Sequence, residues 1–154
     1  MNLSNIPVVR LVIQQLLNYG VQHIVIAPGS RNAPITVGLT THTAFTTYSI
    51  VDERSAGFFA IGLSQQLHQP VAVLCTSGSA LLNIYPAVSE AYYSLYPLVV
   101  LSADRPTYQI DIGNGQTIRQ SGVFSKHLIS ETLLLQDITH NRACLLYTSD
   151  AADE

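Results

Sequence analysis

The sequence predicts an α/β fold in which a parallel β-sheet is covered by helices on both faces. Four short apolar runs, rich in β-branched residues, alternate with segments whose apolar residues recur at helical spacing. Because these runs are continuously apolar rather than alternating, both faces of each strand are expected to be buried. Ligands of such sheets bind beyond the carboxyl ends of the strands, so the loops that follow the strands form the candidate site.

The composition indicates about one domain in a chain of 154 residues. Hydrophobic residues make up 47% of the chain and charged residues only 11%, so we expect neighbours to cover part of its surface. The formal net charge of -3 argues against nucleic acid as a partner. Two cysteines and five scattered histidines predict no disulfide framework, no metal site and a reduced, cytoplasmic setting. We expect no membrane span, because every apolar run is shorter than roughly 18 residues.

The first half of the chain predicts two helices and two strands. Residues 7–19 have helical spacing and end at Gly20, and residues 23–27 form a short apolar strand. Asn32 is expected to cap the second helix, and residues 44–51 are expected to form the second strand.

The second half repeats this alternation. Residues 53–67 predict a helix, residues 70–76 a buried strand and residues 97–103 a fourth strand. A long helix over residues 77–96 contains Pro86, which predicts a kink or a break. The apolar stripe of the helix at residues 53–67 is expected to consist of Ala56, Phe59, Ala60, Leu63 and Leu67.

Polar residues are concentrated in the four loops that follow the predicted strands, at residues 27–34, 51–55, 75–83 and 102–120. Ser30 and Arg31 precede a helix N-terminus, which favours carboxylate or phosphate, although an ordinary turn with a solvated arginine is the alternative. Thr76, Ser77 and Ser79 offer hydroxyl and N–H groups to a polar ligand, unless Ser77 simply caps the helix.

Charged residues in two of these loops have two interpretations each. Glu53 either faces a ligand or is there because the helix macrodipole favours acidic residues in a first turn, where Asp52 is a candidate cap. Arg105 and Arg119 are candidates for carboxylate binding, unless Asp104 pairs with one of them as a structural ion pair. Three arginines and one glutamate at one sheet edge would suit a small substrate with several carboxylates.

Five stretches of the sequence resemble, in order and spacing, the N-terminal domain of the 2-succinyl-5-enolpyruvyl-6-hydroxy-3-cyclohexene-1-carboxylate synthases of menaquinone biosynthesis. They are IAPGSRNAPIT, DERSAGFFAIGLSQQ, PVAVLCTSGSALLNIYPAVSEAYYS, PLVVLSADRP and GNGQTIRQ. The resemblance implies that residues 1–127 form the pyrimidine-binding (PYR) type domain of a thiamine diphosphate enzyme. It also implies a carboligase, a transferase that decarboxylates 2-oxoglutarate and adds the resulting succinyl carbanion to isochorismate.

The resemblance also implies roles for individual residues. Glu53 matches the family's catalytic glutamate, which hydrogen-bonds the aminopyrimidine ring of the cofactor and promotes proton transfer. The cofactor-binding residues implied in this way, called the cofactor set below, are Glu53, Thr76, Ser77 and Asn83. The residues implied to contact substrate carboxylates, called the substrate set below, are Ser30, Arg31, Arg105 and Gln116. Arg54 receives no role.

Family members run to several hundred residues and carry a second cofactor domain with a GDG…N-type motif that this sequence lacks. We therefore expect the ligands of the diphosphate and of Mg²⁺ in a missing C-terminal domain. The family's site lies between subunits, so a homodimer or homotetramer is expected. The small-residue face of the third helix is expected to approach the partner subunit; it consists of Ala56, Gly57, Ala60 and Gly62.

The end of the chain differs from the rest, because its apolar rhythm weakens. We expect residues 128–154 to be a truncated end, with artefactual sequence at residues 144–154, and the isolated fragment to be inactive. The alternative is a stand-alone α/β module that binds a small carboxylate or nucleotide without catalysis.

Overall fold

Helices and strands alternate along residues 6–134, the part of the chain that the computed structural model describes. The helices are α1 (Pro7–Asn18), α2 (Ala33–Thr41), α3 (Glu53–Leu67) and α4 (Ser79–Ser94). The strands are β1 (His23–Ile26), β2 (Thr46–Ser49), β3 (Val71–Cys75) and β4 (Leu98–Ser102), and a short 3-10 turn spans Thr107–Gln109. The predicted artefactual stretch at residues 144–154 lies outside the described residues.

The strands form one parallel sheet in the order β2-β1-β3-β4. In the two central strands, Ile26 of β1 lies opposite Leu74 of β3, and Ser49 of β2 lies on the other side of Ile26. Every strand pair is parallel, which confirms the predicted sheet and brings the carboxyl ends of the strands to one edge.

Helices cover both faces of this sheet, as predicted. One face packs against α1 and α2 through Ile24, Ile26, Ala72 and Leu74. The other face packs against α3 and α4 through Val25, Val71, Val73 and Cys75. Successive residues of β1 and β3 therefore enter two different cores, which explains why these strands are continuously apolar.

The two outer strands differ from the expectation that every strand is buried. Each residue of β4 is half-buried, and Thr46 and Ser49 of β2 are exposed. Both strands lie at an edge of the described sheet and have a neighbouring strand on one side only. Burial there depends on what lies next to the strand, which the sequence of the strand alone does not encode.

The stripe predicted for α3 is rotated relative to the one observed. Phe59 and Leu67 are 41% and 37% exposed, and the buried residues of α3 are Ala56, Gly57, Ala60, Ile61 and Ser64. A Cβ atom on Gly57 would lie 2.7 Å from the Cβ of Ala87 in α4, so the two helices approach closely. The expectation that this face meets a partner subunit is wrong for its buried members, because α4 of the same chain covers them.

Helix α4 continues through Pro86, so the predicted break does not occur. Proline removes one N–H donor from the helix and leaves the carbonyl four residues earlier, that of Leu82, without its helical partner. Pro86 and Leu82 both lie on the exposed side of α4, where water can hydrate that carbonyl. The opposite side of α4 packs into the core through Ile84 and Val88, which holds the helix together.

Candidate functional site

The loops that follow the strands start side by side at one edge of the sheet. The parallel ladder continues one residue beyond β1, β2 and β4: the N–H of Ala27 donates to the carbonyl of Leu74 at 2.9 Å, and that of Ala103 donates to the carbonyl of Cys75 at 3.1 Å. On the other side of β1, the N–H of Ile50 donates to the carbonyl of Ile26 at 3.0 Å. The carboxyl edge therefore carries the four polar loops that the sequence singled out.

The loop after β1 is fixed by a hydrogen bond from Asn32 and by close packing at Gly29. Asn32 lies at the N-cap position of α2, as predicted, but it is fully buried and its side chain donates to the carbonyl of Ala27 at 2.8 Å, so the predicted side-chain cap does not form. A Cβ atom on Gly29 would lie 2.4 Å from the Cβ of Thr76, so this loop packs directly on the loop after β3. Ser30 and Arg31 are exposed at its outer side.

The loop after β3 is covered by the segment that contains Gln116 and Gln120. The hydroxyl of Ser77 donates to the carbonyl of Gln116 at 3.0 Å, and the N-cap of α4 is Gly78, so Ser77 does not cap the helix. The N–H of Gly78 donates to Oε1 of Gln120 at 2.7 Å. Because both groups are engaged within the chain, neither the Ser77 hydroxyl nor the Gly78 N–H is open to an anion at this helix N-terminus.

The loop after β2 begins α3 with a side-chain cap. Asp52 accepts from the N–H of Ser55 at 3.0 Å and forms an exposed ion pair with Arg54 at 3.0 Å, which gives Arg54 a structural role. These hydrogen bonds, from Arg54 first and Ser55 second, lower the pKa of Asp52 to about 2. The capping predicted for Asp52 is confirmed, which leaves the adjacent carboxyl of Glu53 available for another role.

Glu53 is the first residue of α3 and is half-buried beside the end of β3. Its charge reaches Cys75: burial raises the pKa of the Cys75 thiol to about 11, and the negative charge of Glu53 adds to that rise. Glu53 thus stands at the same sheet edge as Thr76 and Ser77 of the cofactor set. Asn83, the remaining member, lies one turn into α4 with an exposed side chain.

The three arginines are arranged differently from one another. Arg119 pairs with Asp111 at 2.8 Å on the surface, so the predicted alternative of a structural ion pair applies to Arg119, with Asp111 in place of Asp104. Arg31 forms no ion pair within residues 6–134. Arg105 is half-buried and donates to the carbonyl of Gly115 at 3.2 Å, beside Gln116 of the substrate set. Burial raises the pKa of Asp104, whose carboxylate accepts from the N–H of Arg105.

Several buried polar atoms at this edge have no hydrogen-bond partner within the described part of the chain. They are Oδ1 of Asn32, Oγ1 of Thr76 and Nε of Arg105. A buried polar atom without a partner costs free energy, so such atoms are typical of sites that bind a polar group. The amide oxygen of Asn32 and the hydroxyl of Thr76 can accept from an amino group, and the guanidinium of Arg105 can donate to a carboxylate. No group of three metal-ligating side chains occurs in residues 6–134.

Sequence reasoning missed Gln120. Its side chain is 8% exposed and joins the loop after β3 to the end of β4. Its partners lie 17 to 42 residues away along the chain, so no local pattern could have found it.

Comparison with known proteins agrees with this arrangement. A family profile described as "Thiamine pyrophosphate enzyme, N-terminal TPP binding domain" matches residues 6–128. In residues 6–134, no helix has both the length and the apolar character that crossing a membrane requires.

Several curated relatives share one name. A protein of Christiangramia forsetii named 2-succinyl-5-enolpyruvyl-6-hydroxy-3-cyclohexene-1-carboxylate synthase is 57% identical over 90% of this chain and 24% of its own length. Proteins of the same name from Flavobacterium psychrophilum and Bacteroides fragilis are 57% and 55% identical over 87% and 78% of this chain, and 24% and 21% of their own. The chain spans about a quarter of the length of these relatives. The chain belongs to the family of N-terminal thiamine pyrophosphate-binding domains of thiamine pyrophosphate enzymes.

Proposed function

We propose that the chain supplies the pyrimidine-binding part of the active site of a 2-succinyl-5-enolpyruvyl-6-hydroxy-3-cyclohexene-1-carboxylate synthase. The observation that supports this most strongly is the position of Glu53, a half-buried carboxyl at the sheet edge that the cap of α3 does not use. The name carried by relatives that are 55% to 57% identical supports the same reaction. That reaction would decarboxylate 2-oxoglutarate and join the remaining four-carbon unit to isochorismate.

Glu53 would hold a proton at the ring nitrogen N1′ of the aminopyrimidine. Thiamine diphosphate supplies the electron sink that decarboxylation needs. The carboxyl of Glu53 lies at the N-terminus of α3, where Asp52 rather than Glu53 supplies the side-chain cap. The hydroxyl of Thr76, buried without a partner among the described residues, would bind a polar group on the same side.

Arg31 and Arg105 would bind the carboxylates of the substrates. Arg31 is exposed and forms no ion pair within residues 6–134. Arg105 has neutral partners, the carbonyl of Gly115 at 3.2 Å and Oε1 of Gln109 at 3.5 Å. A carboxylate would compete well with both, because charge-assisted hydrogen bonds of a guanidinium are about twice as strong as neutral ones.

The remainder of the enzyme would lie in the longer protein. We propose that a further domain supplies the ligands of Mg²⁺ and of the diphosphate, and that a homodimer or homotetramer forms the complete site. The isolated chain would be inactive because it lacks those ligands, and we also propose a cytoplasmic location. The half-exposed strand β4 and the apolar residues exposed around it agree with a domain that packs against neighbours.

The reaction is tested with the full-length protein that carries this domain. Thiamine diphosphate, Mg²⁺, 2-oxoglutarate and isochorismate are supplied, and the products are followed by CO₂ release and mass spectrometry. We expect one CO₂ per coupled product and no product when pyruvate replaces 2-oxoglutarate. Coupling with pyruvate at an equal rate, or no coupling at all, would reject the proposed substrates.

The role of Arg105 is tested separately with Arg105→Ala. Removing a charged hydrogen-bond donor from a carboxylate costs about 1.5–3 kcal/mol, so the substrate KM should rise roughly 10-fold to 150-fold. The Kd of thiamine diphosphate should stay unchanged. Arg10→Ala, an exposed arginine in α1, is the matched control and should change neither constant. An unchanged KM in Arg105→Ala would contradict the assignment.

A further inference from the structure

The side chain of Gln120 joins three parts of the carboxyl edge of the sheet. Its Oε1 accepts from the N–H of Gly78 at 2.7 Å, at the start of α4. Its Nε2 donates to Oγ of Ser102, the last residue of β4, at 3.0 Å and to the carbonyl of Ala103 at 3.0 Å. The residue is 8% exposed, so these bonds are largely protected from water.

Only an amide of this length meets all these partners. The NH₂ group has two hydrogens, and each has its own acceptor, while the carbonyl oxygen meets the Gly78 donor. A carboxylate keeps the bond from Gly78 but places a negative oxygen against the Ala103 carbonyl. A leucine leaves the Gly78 N–H buried and unpaired, which is costly.

These bonds hold the segment that carries Gln116. Gln116 has a φ of +55°, a backbone conformation that a residue with a side chain adopts only when its surroundings hold it there. Its carbonyl accepts from the hydroxyl of Ser77, and its Cα would lie 2.9 Å from a Cβ atom added to Gly78. The preceding Gly115 carbonyl accepts from Arg105. The segment is therefore fixed at Gln116 and again four residues later, at Gln120.

We propose that Gln120 is a positioning residue that sets the location of Gln116 and Arg105 for substrate binding. The inference rests on the proposed function, because it takes these two residues as members of the substrate set. Gln120 does not contact substrate in this arrangement, since its amide is fully engaged within the chain. Its effect should therefore appear in substrate affinity and leave cofactor affinity largely unchanged.

The test compares Gln120→Leu and Gln120→Glu with the control Gln66→Leu, an exposed glutamine near the far end of α3. In the full-length protein, Gln120→Leu should raise the KM of the substrate at least roughly 10-fold while the Kd of thiamine diphosphate changes less than about twofold. In the same full-length protein, the Gly78 amide should exchange its hydrogen faster in Gln120→Leu than in Gln66→Leu.

The variant Gln120→Glu separates positioning from general loss of stability. Burial raises the pKa of a carboxyl, and its protonated form can accept from Gly78 and donate one bond in place of the amide. The KM of this variant should fall toward the wild-type value as the pH decreases from about 8 to about 6, whereas Gln120→Leu should show no such recovery. A Gln120→Leu variant that showed the same recovery would overturn the proposal, because leucine has no group that titrates.

Failure of this inference and failure of the proposed function give different results. If the wild type makes the coupled product and the KM of both Gln120 variants equals that of Gln66→Leu, the positioning role is overturned and the function stands. If the wild type makes no coupled product, the proposed function is overturned and the positioning role with it.

Discussion

Gly78 is the position where a single methyl group should disturb the carboxyl edge most. Its backbone has φ +84° and ψ −143°, which residues other than glycine rarely adopt. An added Cβ would lie 2.8 Å from the carbonyl carbon of Gln116 and 2.9 Å from its oxygen. These are backbone atoms of a fixed segment, so they cannot move away as the end of a flexible side chain would.

The expected cost of Gly78→Ala follows from two contributions. Holding a residue with a side chain in such a backbone region costs about 1–3 kcal/mol. Displacing Gln116 strains the buried bond from the Gly78 N–H to Gln120, and losing it costs roughly 1 kcal/mol. The free energy of unfolding should therefore fall by roughly 2–4 kcal/mol.

Urea denaturation of the chain measures this change. With an m-value of about 2 kcal/mol/M, the midpoint should fall by roughly 1–2 M. Gly20→Ala is the matched control, because Gly20 also has a positive φ of +68° but no described atom beyond its chain neighbours lies within 4 Å of the added Cβ. It should cost only about 1 kcal/mol. Equal midpoints for the two variants would refute the close approach of Gln116 to α4.

Three further predictions concern the rest of the fold. Gly57→Ala should lower the urea midpoint because its Cβ would lie 2.7 Å from that of Ala87, and adding Ala87→Gly to that variant should raise the midpoint again. If the effects of the two substitutions on the free energy of unfolding simply add, the α3–α4 contact is contradicted. The pKa of Asp52 is about 2 in the folded chain and near 4 in the unfolded chain, so its carboxylate stabilises the fold above about pH 4. The free energy of unfolding should therefore lose this contribution between about pH 4 and pH 2 in the wild type but not in Asp52→Asn. The same pH dependence of unfolding in both proteins would argue against it. In a Cys144→Ser variant, Cys75, with a pKa of about 11, should react with a thiol reagent at about pH 8 roughly 100-fold more slowly than a thiol of pKa 9. Rapid labelling of Cys75 would contradict its burial.

Strands β1 and β3 could be predicted from the sequence because both of their faces are buried. Every residue of β3 is buried, and a run such as that can only be apolar. The positions of β2 and β4 could be predicted from the alternation of strands and helices, but their exposure could not, since it depends on neighbours beyond the strand itself. The rotation of α3 was missed because Gly57 and Ser64 face the core while Phe59 does not. The close packing of α3 on α4 favours small side chains over large hydrophobic ones.

The side-chain contacts of the candidate site were less predictable than the loops that carry them. Asn32 and Ser77 are residue types that favour helix caps, but each meets a carbonyl from outside its helix and bonds to it instead. Asp52 caps α3 as predicted because its partner is local. Gln120 reaches Gly78 from 42 residues away, and such a contact exists only once the sheet has formed.

The central claim is that Glu53 serves the cofactor at the carboxyl edge of this sheet. The most direct measurement is thiamine diphosphate-dependent CO₂ release from 2-oxoglutarate by the full-length protein with Glu53→Gln. Glu90→Gln, an exposed glutamate in α4, is the control and should keep the wild-type rate. We expect Glu53→Gln to lower the rate at least roughly 100-fold while the far-ultraviolet circular dichroism stays unchanged. A rate within about twofold of the wild type would contradict the account, because removing a group that assists proton transfer should lower the rate roughly 100-fold or more.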